Sequence, residues 1–198
     1  TDNYLRDDLD NYWSLVAYYT SLKELGRMRS RVTQEISHTM RSGKRYLNIP
    51  TAFDPLWLEI TDQRIEEFTG RIDSLKIKGL LSKVEKKALF DNRLNPQQSP
   101  DIILATNMIS VGIDISRWNM MLMSSLPCST AEYIQSTSRI ARSAEGLVVN
   151  LFSRRAVRSL SLYENYTAFH RSYYKYVEPL SITPLTRSLI QNKILNNI

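Results

Sequence analysis

The spacing of apolar positions changes period several times along this chain, and each change predicts an element. Residues 14–19, SLVAYY, form a compact apolar run that predicts a short buried strand. From residue 21 the spacing becomes helical in SLKELGRMRSRVTQEI, with Thr20 or Ser21 as the hydroxyl that caps the free N–H groups of the first turn. Periodicity is lost over residues 37–64, where Gly43, Pro50 and Pro55 stand among aromatics. A structureless loop of that length is unusual, so an inserted region that is partly ordered or binds something is expected. RIEEFTGR then predicts a second strand ending at Gly70, and DSLKIKGLLSKVEKKALFDN alternates apolar and basic residues at helical spacing. After the polar break NPQQSP come DIILAT, with the continuous apolar run of a strand buried on both faces, and NMMLMSSL. STAEYIQSTSRIAR follows as a helix and GLVVNLF as a fifth strand. Strand and helix in alternation predict an α/β fold, a mostly parallel sheet flanked by helices. Beyond residue 154 the texture turns helical, with Tyr, Phe and Leu among Arg and Lys, and TRSLIQNKIL predicts a last short helix after Pro179 and Pro184. The organisation expected is a sheet domain over residues 1–153, with 37–64 inserted, and a helical C-terminal extension over 154–198.

Composition narrows the setting. The 198 residues are 42% hydrophobic, enough for a sizeable core, and carry a formal charge of +6. That balance fits a nucleic-acid or phosphate partner, although many ordinary domains are as basic. The single cysteine, Cys128, excludes an internal disulfide framework and suits a reducing compartment. TDNYLRDDLD lacks the apolar run of a signal peptide, and no apolar stretch approaches a membrane span, so the expected setting is the cytoplasm, with no membrane partner. A start on Thr rather than Met suggests a piece of a longer protein.

Two segments carry candidate chemistry. In YIQSTSRIAR, helical spacing puts Gln135, Arg139 and Arg142 on one stripe, with Ile134, Ser138 and Ala141 opposite to pack on the sheet. Ser129 and Glu132 have capping-box spacing, which predicts a helix start near residue 130. A solvated basic face would account for the arginines by themselves. Guanidinium forks also suit phosphate oxygens and can stabilise charge on a transferring phosphoryl group. The second segment, ATNMISVGIDI, follows a buried strand directly. Thr106 and Asn107 stand at the strand end, where ligands collect on open α/β sheets, Gly112 permits close backbone approach, and Asp114 interrupts an apolar run.

ATNMISVGIDI followed by YIQSTSRIAR resembles motifs V and VI of superfamily 2 helicases and translocases. LVAYYTSLKELG is similar to the strand-to-helix turn that opens the second motor domain, and EEFTGR to the next motif, which touches the nucleic-acid backbone. The resemblance spans roughly residues 13–153 and implies a RecA-like fold of the P-loop NTPase type. By that resemblance Arg142 is an arginine finger for the γ-phosphate of ATP. Arg139 either shares that role or pairs with acids across the cleft. Gln135, Gly112 and Asp114 lie on the nucleotide side, and Thr20, Ser21, Thr69, Gly70, Arg71, Thr106 and Asn107 contact the nucleic-acid backbone. Motif VI usually has glycine where this chain has Ser138, whose Cβ is expected on the sheet side of the helix. The tail is similar to the segment after motif VI in helicases of DISARM-type anti-phage systems, with Ser161, Tyr163, Glu164, His170, Val177, Glu178, Ser181, Thr183 and Pro184 at the recurring positions. His170 is read as structural, the aromatic stripe as packing, and Cys128 as a small core filler.

The sequence contains no G-x-x-x-x-G-K-[ST]; SGKRY at 42–46 lacks the upstream glycine and the following hydroxyl. Phosphoryl transfer needs a lysine cradle, Mg²⁺ and its acidic ligand. The expectation is therefore half of a motor. ATP and Mg²⁺ are held mainly by an N-terminal RecA-like domain of the same protein, and the nucleic acid is DNA in preference to RNA. Alone, this chain is expected to be inactive as an ATPase. The competing reading is a non-catalytic RecA-like module that binds nucleic acid or a partner protein.

Overall fold

The computed structural model describes residues 10–36, 38–39, 60, 62–86, 89–90, 93–94, 99–107 and 115–179. Most of the 37–64 insertion, residues 108–114 with Gly112 and Asp114, and the helix expected after Pro184 lie outside the described residues.

Five short strands form one sheet: β1 Leu15–Tyr18, β2 Ile65–Phe68, β5 Ile102–Ala105, β6 Met120–Met123 and β7 Leu147–Asn150. The spatial order is β2-β5-β1-β6-β7, every neighbouring pair is parallel, and β3 Leu89–Phe90 and β4 Arg93–Leu94 make a separate two-stranded antiparallel pair. β5 lies between two strands and all four of its residues are buried, as its unbroken apolar run requires.

Helices cover both faces. Alternation along β1 sends Val16 and Tyr18 to one face and Ala17 to the other. The first face carries Phe68, Ile103, Met121 and Met123, and packs against Leu80 and Leu81 of α2 (Ser74–Val84) and Tyr133 of α3 (Thr130–Thr137). On the second face Ile102 and Leu104 meet Leu25 and Met28 of α1 (Leu22–Arg31), which runs on into a π-helical turn, Val32–Ile36. Each of these helices starts where the sequence offers an oxygen. Ser21 accepts from the N–H of Glu24, Asp73 from that of Leu75, and Ser129 from that of Glu132. The C-terminal extension is helical as expected, with α4 Val157–Glu164, α5 Tyr166–Arg171 and a 3₁₀ turn Tyr173–Tyr176. Phe169 is buried in the first-face core, so the extension docks on the sheet domain.

Candidate nucleotide and nucleic-acid interface

The parallel register brings three of the candidate turns together. Tyr18 and Phe68 both pair with Ala105, so the turns after β1, β2 and β5 leave the sheet side by side. Thr20 is exposed, and its N–H and hydroxyl lie 3.2 and 3.0 Å from the Ser125 hydroxyl, which in turn lies 3.2 Å from Glu24. Ser21 spends its hydroxyl on the α1 cap. Thr69 and Thr106 are buried, at 2% and 5% exposure, while Gly70, Arg71 and Asn107 are on the surface. The exposed groups of this edge are thus Thr20, Gly70, Arg71 and Asn107.

The arginine segment departs from the expected helix. α3 stops at Thr137, so Gln135 is helical and exposed, whereas Arg139 and Arg142 lie beyond the helix end and share no stripe with it. The cause is the run Ser136-Thr137-Ser138. Thr137 donates its hydroxyl to the carbonyl of Tyr133 at 2.9 Å and Ser138 to that of Gln135 at 3.1 Å. Such bonds compete with the helical ladder. The chain then tightens through 3₁₀-type bonds from Arg139 to Ser136 and from Ile140 to Thr137.

The buried face of α3 is also different. Thr130, Tyr133 and Ser136 point inward, not Ile134, Ser138 and Ala141. Ser138 is exposed at the C-cap, so its Cβ does not stand between helix and sheet as expected.

Arg139 and Arg142 are held in a fixed loop instead. Ile140 is buried, and the N–H of Ala141 donates to the Trp118 carbonyl at 2.9 Å. Ala141 takes a left-handed backbone with φ 61°, a conformation that costs a residue with a Cβ roughly 1–2 kcal/mol. Gly146 makes this possible: a Cβ there would lie 2.5 Å from that of Ala141. Arg142 is exposed, and the next residue, Ser143, donates to the carbonyl of Ser116 at 2.6 Å. Ser116 follows Asp114 by two residues, so the exit of the ATNMISVGIDI segment is tied to the arginine loop. Both stand at the amino ends of β6 and β7, across the sheet from the Thr20, Arg71 and Asn107 edge, with α3 running between.

Arg117 anchors that exit. It is 7% exposed, and its guanidinium forms a 3.0 Å ion pair with Asp10 and donates to the Val84 carbonyl (2.9 Å) and the Ser99 hydroxyl (2.6 Å). This four-way tie joins the chain start, the end of α2 and the entry to β5.

The N-terminal half of α3 is held by several side chains. Tyr18, fully buried, donates to Glu132. Burial first, then the hydrogen bond and charge of Glu132, push its phenol well above the usual value, so it stays a neutral donor. Tyr133 is likewise pushed up, chiefly by burial, against a hydrogen bond from Asn150. Its hydroxyl accepts from Asn150 at 3.0 Å and lies 2.9 Å from His170 Nε2. His170 Nδ1 lies 2.9 Å from the Tyr166 carbonyl, which can only accept. The consistent assignment is a proton on Nδ1, leaving Nε2 to receive the Tyr133 hydroxyl. The structural reading of His170 thus holds. Part of the aromatic stripe packs, as at Phe169, but Tyr163, Tyr174 and Tyr176 are exposed. Cys128 is exposed as well and fills no core. Among the described residues no group of His, Cys, Asp and Glu could hold a metal, and no helix is long and apolar enough to cross a membrane.

A five-stranded parallel sheet with helices on both faces and the order β2-β5-β1-β6-β7 defines a RecA-like domain. Residues 26–144 match the family model described as helicase conserved C-terminal domain, and the chain belongs to that family. It is 32% identical over 197 residues to the DISARM protein DrmA of Bacillus paralicheniformis, a match covering 93% of this chain and 16% of that protein. Among solved structures it is similar to the DUF1998 helicase MrfA bound to DNA and AMPPNP, with TM-score 0.58 and 14% identity over 92% of this chain and 21% of that one. The Mycobacterium smegmatis helicase Lhr bound to ssDNA and AMP-PNP gives TM-score 0.54 and 16% identity over 91% and 20%. Identities this low show the fold alone. The chain spans a small fraction of the length of each of these relatives. The superfamily 2 resemblance read from the motifs, and its DISARM-type branch, are borne out.

Proposed function

We propose that this chain is the C-terminal motor domain of an ATP-dependent DNA translocase or helicase acting in phage defence in the cytoplasm. Residues 1–153 form the RecA-like unit and 154–198 its extension. An N-terminal RecA-like domain of the same protein holds ATP and Mg²⁺. Closing the cleft brings Arg142 to the γ-phosphate, where its positive charge stabilises the transferring phosphoryl group. Arg139, Gln135, Gly112 and Asp114 complete the nucleotide side. On the other edge Thr20, Ser21, Thr69, Gly70, Arg71, Thr106 and Asn107 form the turns that meet the DNA backbone. Contacts to the backbone carry no sequence information, as stepping along a strand requires.

The observation that carries this reading is the arginine loop itself. A solvated basic face has no use for a strained Ala141, a glycine cleared for it at Gly146, and a 2.6 Å tie from Ser143 to Ser116. Such a loop fits a role that needs its arginines in one place. The preference for DNA over RNA is supported by MrfA and Lhr, which are bound to DNA and ssDNA in their structures. The test is Arg142→Ala in the intact protein, with DNA-stimulated ATP hydrolysis as readout. A fall of about 10³-fold or more is expected for loss of an arginine finger. Activity within a few fold of wild type would instead support the non-catalytic module. This chain alone should hydrolyse no ATP.

A further inference from the structure

Four residues of the C-terminal extension converge on the first turn of α3. The Glu178 carboxylate accepts the Thr130 N–H at 2.8 and 3.1 Å and the Thr130 hydroxyl at 3.2 Å. Arg158 donates to the carbonyl of Cys128, and its guanidinium lies 3.9 Å from Glu178. His170 holds the Tyr133 hydroxyl, and the Phe169 ring packs edge-on to that of Tyr133 with centroids 6.0 Å apart.

The first turn does not need all of this to form. Ser129 already caps it by accepting the N–H of Glu132 at 3.1 Å. The Thr130 N–H has no acceptor within the helix, and water could satisfy it. A carboxylate from 48 residues away satisfies it instead, with its charge at the positive end of the helix. The Glu178 side chain is 48% exposed, so solvent screens the pair and its share in global stability is small. What it does supply is a fixed point. α3 has eight residues and is roughly 12 Å long, and the arginine loop hangs from its far end.

We propose that Glu178 is a positioning residue: with Arg158 and His170 it lets the C-terminal extension set the placement of α3, and through α3 that of Arg139 and Arg142. The inference rests on the motor reading above. It gives the Val177-Glu178 pair of the tail a task that the backbone contacts and the arginine role leave unassigned.

The test uses the intact protein with Glu178→Ala, Glu178→Gln and Glu178→Asp, read against Arg142→Ala. Glu178→Ala should lower kcat of DNA-stimulated ATP hydrolysis at least about fivefold, as small misplacements of reacting groups do. The KM for ATP, the Kd for DNA and the thermal midpoint should stay close to wild type. Glu178→Asp, which keeps the charge, should recover more of kcat than Glu178→Gln. Combined with Arg142→Ala, Glu178→Ala should cause no further loss, since the group it positions is gone. A normal kcat in Glu178→Ala beside an inactive Arg142→Ala overturns this inference and leaves the motor reading standing. An active Arg142→Ala overturns both. If Glu178→Ala fails to fold, Glu178→Gln decides: a lowered midpoint with unchanged kcat means the contact is structural only.

Discussion

Tyr18, at the carboxyl end of the central strand, donates its hydroxyl to Glu132 on α3 across 2.5 Å. Two residues after Tyr18 stands Thr20, on the edge with the candidate DNA contacts, and three after Glu132 stands Gln135, on the helix that leads to the arginines. One part-buried hydrogen bond therefore bridges the element that ends at the proposed DNA edge and the one that leads to the proposed nucleotide edge.

Tyr18→Phe keeps the ring and removes the donor. Leaving Glu132 without it should cost about 1–3 kcal/mol in denaturant unfolding. The pH dependence has a definite sign. The folded state holds the phenol proton above the ordinary tyrosine value, so in alkali the unfolded chain loses that proton first and binds fewer protons. Stability from this group is complete below about pH 10 and falls as pH rises above it. Wild type should show that alkaline loss and Tyr18→Phe should lack its largest part; equal slopes would refute the assignment.

The buried pair Arg117–Asp10 sets a second expectation. Both side chains are under 10% exposed, at 8% and 4%. Arg117→Ala breaks the buried ion pair with Asp10 and leaves the Val84 carbonyl and Ser99 hydroxyl without this donor, at a cost of about 3–5 kcal/mol. Changing both partners together, Arg117→Met with Asp10→Asn, should be far milder than either truncation. Chemical denaturation of the four proteins would decide it, and additive losses would show that the two side chains do not act as a pair.

The residues differ in how much of this they announced. β1 and β5 were legible because a strand buried on both faces must be a nearly uninterrupted apolar run. The edge strand β2, IEEF, was marked only by its apolar ends Ile65 and Phe68 and the Gly70 that follows. The N-caps Ser21 and Ser129 were legible because a hydroxyl before a helical pattern has a local partner. The end of α3 was misread for the opposite reason: apolar periodicity carries through Ile140, and only the hydroxyl run at Ser136, Thr137 and Ser138 shows that the ladder breaks. That signal was present and could have been used. Arg117 was not legible, because its partner Asp10 is 107 residues away and no local pattern marks such a pair. Glu178 was noticed only by resemblance, and its bond to Thr130 depends on how the extension docks. Gly112 and Asp114 keep the roles implied by the resemblance, as proposals.

The proposed DNA edge can be tested through charge. Arg71 is exposed in the turn after β2. In the intact protein Arg71→Ala should weaken DNA binding about equally across sequences and reduce the salt slope of log K by about one. Titrations at several salt concentrations on two unrelated sequences would check both. A sequence-dependent loss would mean that Arg71 reads bases rather than backbone.

The arginine loop offers a rescue experiment. Gly146→Ala places a methyl 2.5 Å from the Ala141 Cβ and 3.1 Å from the Asn119 carbonyl. The loop must shift, and DNA-stimulated ATP hydrolysis by the intact protein should fall well below wild type. Ala141→Gly removes the methyl that Gly146→Ala strikes and also relaxes the φ of 61°, so alone it should leave activity near wild type. Placed together, the two changes should restore a large part of the activity lost in Gly146→Ala, the remainder being the contact with Asn119. Absence of any rescue would place the damage of Gly146→Ala at β7 rather than at the loop. Rescue would show that the position of the 139–142 segment, and not merely its charge, sets the rate.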